Sequence, residues 1–325
     1  MARAAVGVEI HQKAVTVVAL RQGRRGPMLA GFATVVLPPG AVTRAGVADP
    51  GALGAAVKEA LREARADRAN VCLSIASEHI DVRRLSMPPM PEAELRQAIQ
   101  WELKQQVRFP VESEEEILFD FQVLQNENGR QELLVVSAPG KLVYDYLGAL
   151  RAERIHPEIM DAFALSLPWA VPGEGGVGYV HVGPEFVHVL VVRDGVYQLS
   201  RKVPVAAGAL LEELGADPDG GAGEPVLSEY AARAAREVVS VVTQTLEFHR
   251  VEVRGHDVAE LVPRLVVSGA GNRIDRLARL IGAEVGLPAV AAQPLTGPGG
   301  RSFEPEEAPR YAVAAGLAQR GLAEL

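Results

Sequence analysis

Residues 7–36 and residues 176–204 follow one plan: apolar strand, tight turn, apolar strand, second turn, third strand. In the first stretch GVEI and AVTVVAL flank the turn His11-Gln12-Lys13, and GPMLAGFATVVLP follows. In the second, GYVHV and FVHVLVV flank Gly183-Pro184-Glu185, and GVYQLSRKVP follows. Runs this rich in Val, Ile and Leu between turn residues read as strands. A supersecondary pattern that recurs about half a chain later marks an internal duplication. The chain is therefore expected to build two similar α/β units.

The segments between and after the repeats complete those units. DPGALGAAVKEALREARA predicts a helix with Asp49 as N-cap and Pro50 at its first position, and NVCLSIA a buried strand. A block at about 79–155 reads as a β-α-β-β-α insertion: HIDVRRLSMP, then a helix with Leu95, Ile99 and Leu103 on one face, then ILFDFQVLQ and RQELLVVSA around NENG, then GKLVYDYLGALRAERI. The acidic run ESEEE at 112–116 reads as a solvated loop. HPEIMDAFALSLPWAV rejoins the first unit, and PGEGGVG links it to the second. After the second repeat come the low-complexity GADPDGGAGEP, a long helix capped by Ser228, the strand-turn-helix RLVVSGAGNRIDRLARLIGAEVG, and a closing helix. The first unit is expected over 1–172 and the second over 176–325, with the final helix at 309–321 packing back on the first.

Composition narrows the function. A net charge of −8 and an isoelectric point near 5.5 argue against binding nucleic acid through broad phosphate neutralisation. The single cysteine, Cys72, allows no internal disulfide, which fits a reducing cytoplasm, and it reads as a small core side chain. The N-terminus has no signal-peptide apolar stretch, and no window resembles a membrane span.

No self-contained catalytic centre stands out. His181 and His188, seven apart, are expected on opposite faces of a strand, so no metal site is assigned to them. His249 and His256 flank a helix end among the carboxylates Glu247, Glu252 and Asp257, an arrangement typical of a solvated surface. No serine sits in a Gly-x-Ser-x-Gly elbow.

Taken in order, VGVEI, AVTVVAL, LPPGAV, RRLSMPPMPEAELRQAIQWEL, RFPVESEEEILFDFQVL, RDGVYQLSRKVP, LVVSGAGNRIDRL and AVAAGLAQR resemble the PilM family, actin-like proteins of type IV pilus assembly. The resemblance spans essentially the whole chain. It implies a duplicated actin-like, ribonuclease H-like fold of two lobes facing a cleft, with the insertion corresponding to the small subdomain of FtsA.

In relatives that bind ATP, an Asp-hydrophobic-Gly signature followed by small hydroxyl residues cradles phosphate and magnesium in each turn. Here Glu9 stands for the aspartate and His11 for the glycine, while Gln12 and Lys13 replace the hydroxyl residues. In the second turn His181 takes the aspartate position; Gly183 is kept, but Pro184 removes a backbone donor and Glu185 adds negative charge. Ala206 and Ala207 stand where the family often has two glycines. No cofactor is therefore expected. If ATP with magnesium is bound, Glu9, Lys13, Gly183, Gly269, Gly271 and Asn272 are the residues to hold it; Gly269 and Gly271 equally suit a plain strand-to-helix turn.

The resemblance also implies a partner, the cytoplasmic N-terminal tail of a PilN-like membrane protein, held between the first lobe and the insertion. Leu37, Pro38, Arg83, Leu85, Met87 and Trp101 are nominated as its groove, although the methionines and prolines also read as a rigid connection capped by core side chains. The leading reading is a cytoplasmic, non-catalytic adaptor at the inner face of the membrane, contacting other pilus platform or motor components. The alternative is an actin-like ATP-binding protein whose nucleotide state gates the groove. A sugar or acetate kinase ranks below both, for want of phosphate-loop aspartates. Twitching pilus, DNA-uptake filament and secretion pseudopilus remain open, as does self-association.

Overall fold

The computed structural model describes residues 3–66, 70–75, 77, 79–106, 116–127, 129–216, 227–255, 257–294 and 302–324. Strands β1 (Ala4–Ile10), β2 (Ala14–Gly23) and β3 (Gly26–Val36) form an antiparallel meander, and the small hairpin β4 (Val42–Thr43) and β5 (Gly46–Val47) leads into α1 (Pro50–Glu63). The Asp49 carboxylate accepts from the Ala52 N–H and starts that helix. Leu53, Val57, Ala60 and Leu61 recur at helical spacing and are buried on the first sheet. Strand β6 (Val71–Ile75) then returns parallel to β1, every residue buried.

The insertion follows with β7 (Asp81–Met87), α2 (Glu92–Gln106), β8 (Ile117–Glu127) and β9 (Arg130–Pro139), its strands ordered β7-β9-β8. Leu95, Ile99 and Leu103 of α2 cover Leu133 and Val135, with Leu85 and Met87 at the margin. Helix α3 (Gly140–Ala152) packs on α1, where Leu142, Tyr146 and Leu150 join the core of the first sheet. Strand β10 (Pro157–Ala162) pairs with β6 and gives the order β10-β6-β1-β2-β3. Most of ESEEE and the preceding RFP lie outside the described residues, as do most of GADPDGGAGEP and His256.

A 3₁₀ turn at Phe163–Ser166 and α4 (Leu167–Ala170) lead to the second sheet. There β11 (Gly176–Val182), β12 (Phe186–Arg193) and β13 (Val196–Pro204) repeat the meander. Helices α5 (Gly208–Ala216), α6 (Glu229–Glu252) and α7 (Val258–Leu261) come next, then β14 (Arg264–Gly269), α8 (Ile274–Val285) and β15 (Ala289–Ala291). Its order, β13-β12-β11-β14-β15, reproduces that of the first sheet strand for strand.

The correspondence extends to single hydrogen bonds. The His11 N–H donates to the Ala14 carbonyl at 2.9 Å, and the Gly183 N–H donates to Phe186 at the same distance. Leu37 donates to Lys13, as Val205 does to Glu185. Glu9 stands opposite Thr16 and Ser74; His181 stands opposite His188 and Ser268. The duplication thus places Glu9 and His181 at equivalent points.

Helix α9 (Ala312–Glu324) lies across β1, β2 and β6. It comes close because its inner face is Ala and Gly: a Cβ on Gly7 of β1 would fall 1.9 Å from the Ala314 carbonyl oxygen, and one on Gly316 1.9 Å from that of Ser166. Arg320 anchors its far end through a 2.5 Å ion pair with Asp161 on β10.

Candidate functional site between the two sheets

The two corresponding turns meet across the interface between the sheets. Five rings pack there: His11 from the first turn, Phe163 from the turn after β10, and His181, Phe186 and His188 from β11 and β12. Phe163 is central, with ring centroids 4.5 Å from His181, 5.7 Å from Phe186, 6.1 Å from His11 and 6.3 Å from His188. His11 and His181 stack at 6.4 Å.

One sequence expectation is overturned here. His181 and His188 are not on opposite faces of one strand; they are direct cross-strand partners on β11 and β12 and share a face. Counting alternation through seven residues ignored the turn between them, and directly opposed residues of an antiparallel pair always point the same way. Among the described residues no group of three or more His, Cys, Asp or Glu side chains is arranged to hold a metal.

Burial keeps the two imidazoles on the second-sheet side neutral. Burial pushes the His181 imidazole well below its ordinary range, with His11, His188 and Lys202 adding to the effect, and burial beside Lys202 lowers His188 to about 3. His181 Nδ1 shares a 3.0 Å hydrogen bond with Ser268 Oγ. On the first-sheet side Glu9 is fully buried, and its Oε1 lies 2.9 Å from His11 Nε2. Glu9 Oε2, the Ser74 hydroxyl and His181 Nε2 are buried without a hydrogen-bond partner.

The remaining cofactor candidates are placed less suggestively. Lys13 is exposed in its turn, and a Cβ on Gly183 would lie 3.1 Å from the Phe186 ring. Gly269 ends β14 where a Cβ would come 2.5 Å from the Val182 carbonyl oxygen, and Gly271 abuts Leu211 of α5. Asn272 is exposed. Close packing alone accounts for both glycines.

The six nominated groove residues divide among three environments. Leu37 is 3 % exposed inside the core of the first sheet, and Pro38 beside it is exposed. Arg83 is ion-paired with Asp81 on β7, while Leu85 and Met87 pack under α2. Trp101, 63 % exposed, projects from α2 away from the face that carries Leu95, Ile99 and Leu103.

Sequence reasoning missed Phe163 and Phe186. A usable signal existed: in a chain only 5 % aromatic, a phenylalanine directly after β10 and another opening β12 each adjoin the expected cleft.

Comparisons with known proteins place this geometry. A family model described as "Type IV pilus assembly protein PilM" matches residues 7–203. A solved structure of the PilM-PilN type IV pilus biogenesis complex contains a chain with a TM-score of 0.77 and 25% identity, the match covering 98% of each chain. More distant likenesses, to the ethanolamine utilization protein EutJ from Carboxydothermus hydrogenoformans (TM-score 0.52, 12% identity, 98% of this chain and 89% of that one) and to a diol dehydratase-reactivating factor in nucleotide-free form (TM-score 0.53, 9% identity, 99% and 100%), show the shared actin-like fold. No curated protein sequence matches significantly. Among the described residues no helix is long and apolar enough to cross a membrane.

Proposed function

Because the chain belongs to the PilM family of type IV pilus assembly proteins, we propose that it is a non-catalytic adaptor, binding the N-terminal tail of a PilN-like membrane protein with its nucleotide cleft closed. The observation that carries the closed cleft is the five-ring cluster. In this fold the phosphates of a nucleotide would lie between the two corresponding turns, and here His11, Phe163, His181 and Phe186 occupy that space. The neutral His181 and His188 imidazoles offer a polyanion no compensating charge.

The solved complex of PilM with PilN supports the choice of partner. In this reading the chain works at the inner face of the cytoplasmic membrane, borrowing its attachment from the tail. An extended peptide gains affinity from strand-edge hydrogen bonds and from pockets for alternate side chains. The groove is proposed between the unit at 1–172 and its insertion at about 79–155; of the nominated residues Pro38 and Trp101 are exposed, Arg83, Leu85 and Met87 half-buried, and Leu37 buried. Contacts to other platform or motor components belong to the same proposal.

A second reading, an ATP-binding protein whose nucleotide state gates the groove, draws on Glu9 at the end of β1 and on the glycine turn after β14. Calorimetric titration separates the two. The adaptor reading expects saturable heat with a synthetic PilN-like N-terminal peptide and none with magnesium ATP up to millimolar concentration. Tight ATP binding that Glu9→Ala abolishes would overturn it.

A further inference from the structure

The tip of the β2-β3 hairpin gathers positive charge in a chain whose net charge is −8. Arg24 and Arg25 form its turn, between Gly23 and Gly26, and both are exposed. Arg21, exposed near the end of β2, stands opposite Ala4 on β1 and Met28 on β3, and the Gln22 N–H donates to the Arg3 carbonyl at 2.7 Å. Arg65, just past the end of α1, adjoins β3, since a Cβ on Gly31 would fall 1.9 Å from the Ala64 carbonyl oxygen. Arg3 and Arg65 are exposed as well. None of these five arginines has a carboxylate within ion-pair distance among the described residues. By contrast, Arg62, Arg96, Arg233, Arg250, Arg279 and Arg320 are each paired with a carboxylate of their own helix. Apolar surface sits among the five. Pro27 is exposed, and Met28 is 43 % exposed, with its sulfur 2.5 Å from where a Cβ on Gly23 would stand.

We propose that this hairpin tip docks on an anionic lipid surface, the five arginines against the head groups and Met28 with Pro27 at the acyl boundary. The proposal rests on the adaptor reading for where the chain works, and adds a second membrane contact beside the tail. Charge and shape select the occupant. A two-arginine turn that closes a hairpin presents its charge outward, which suits a broad flat surface, and the exposed methionine and proline add apolar area that a lipid interface accepts. Guanidinium groups bond lipid phosphates in pairs while their methylene stems lie along the apolar boundary. Each basic side chain near an anionic leaflet raises partitioning roughly fivefold. Such docking is weak and falls with salt, because the charges are exposed. Weak docking suffices once a tail holds the chain at the surface, since tethering makes the second contact intramolecular, and stable anchoring takes two signals. It also fixes orientation. His11 lies at the opposite end of β1 from Ala4, so the ring cluster faces away from the lipid.

The test uses the full chain with vesicles of phosphatidylcholine, alone or mixed equally with phosphatidylglycerol, read by co-sedimentation with no peptide present. We expect binding at least tenfold tighter to the anionic vesicles, weakening as salt is raised. Arg24→Gln/Arg25→Gln should lose at least tenfold at unchanged Tm, and Met28→Ala a smaller factor. Arg233→Gln/Arg236→Gln on α6 removes the same charge elsewhere and should bind as wild type does. Affinity for the PilN-like peptide should be the same in the turn variant as in wild type, so failure of the lipid contact and failure of the adaptor reading register separately. Equal binding to both kinds of vesicle, or equal losses in the turn and α6 variants, overturns the proposal. So does binding of duplex DNA or polyglutamate, at matched ionic strength, that is tighter than vesicle binding and lost in the turn variant; that result assigns the arginines to a polyanionic macromolecule instead.

Discussion

The imidazoles of His11 and His181 stack with centroids 6.4 Å apart and planes inclined by 20°, although the two residues come from opposite halves of the chain. Phe163 meets both edge-on and thereby ties the two sheets together. Truncating it removes a ring that touches every other member of the cluster. Phe163→Ala should cost about 3 kcal/mol, within the usual range for a buried phenylalanine, read as a lower urea midpoint at unchanged slope. A loss below about 1 kcal/mol would mean that the rings do not hold the interface.

Acid should loosen the same interface. The folded chain keeps His181 and His188 neutral, whereas the unfolded chain protonates them near their ordinary pKa of about 6.5. The unfolded state therefore binds more protons, and their stabilising contribution is present above pH 6.5 and lost as pH falls. For His188 the loss runs down to about pH 3, at about 1.4 kcal/mol per pH unit. Urea unfolding at a series of pH values should show that slope reduced by this amount in His188→Gln. An unaltered slope would show that the imidazole titrates normally in the folded state.

The glycines beneath α9 are predicted to be intolerant of a methyl group. With a Cβ 1.9 Å from a backbone oxygen at either Gly7 or Gly316, the helix must lift from the sheet. Gly7→Ala and Gly316→Ala should each lose about 2 kcal/mol or more, as overpacked sites do. Gly148→Ala on α3, where a Cβ meets nothing within 4 Å, is the control and should be neutral or slightly stabilising.

Arg320 is expected to matter more for what it neutralises than for the bond itself. Asp161 is buried, and burial raises its pKa while the guanidinium of Arg320 opposes that rise. Arg320→Ala would leave the carboxylate inside without a counter-charge, at a cost of about 3 kcal/mol by chemical denaturation. The double variant Asp161→Asn/Arg320→Met should recover most of that loss. No recovery would place the effect in the packing of α9 instead.

Trp101 separates folding from partner binding. Its side chain is 63 % exposed, so Trp101→Ala should change stability by less than about 0.5 kcal/mol. If the proposed groove includes it, the same variant should weaken binding of the PilN-like peptide at least tenfold. Unchanged peptide affinity would remove Trp101 from the groove.

Much of the architecture was legible in the residues. The two β-branched repeats set both meanders, Asp49 and Ser228 marked helix starts, and the four-residue spacing of Leu95, Ile99 and Leu103 identified the buried face of α2. Such signals are local, because strand and helix periodicity and capping chemistry act within a few residues. The make-up of the two turns was equally plain, since a missing glycine or an added proline is visible without coordinates. Tertiary structure alone decided what fills the space between those turns. Phe163 and Phe186 reach His11 and His181 only when the two sheets close on each other, and the shared face of His181 and His188 depends on the strand register across their turn. It also separated Leu37 from Leu85, Met87 and Trp101, because burial belongs to the packed layers and leaves no mark at a single position in the chain.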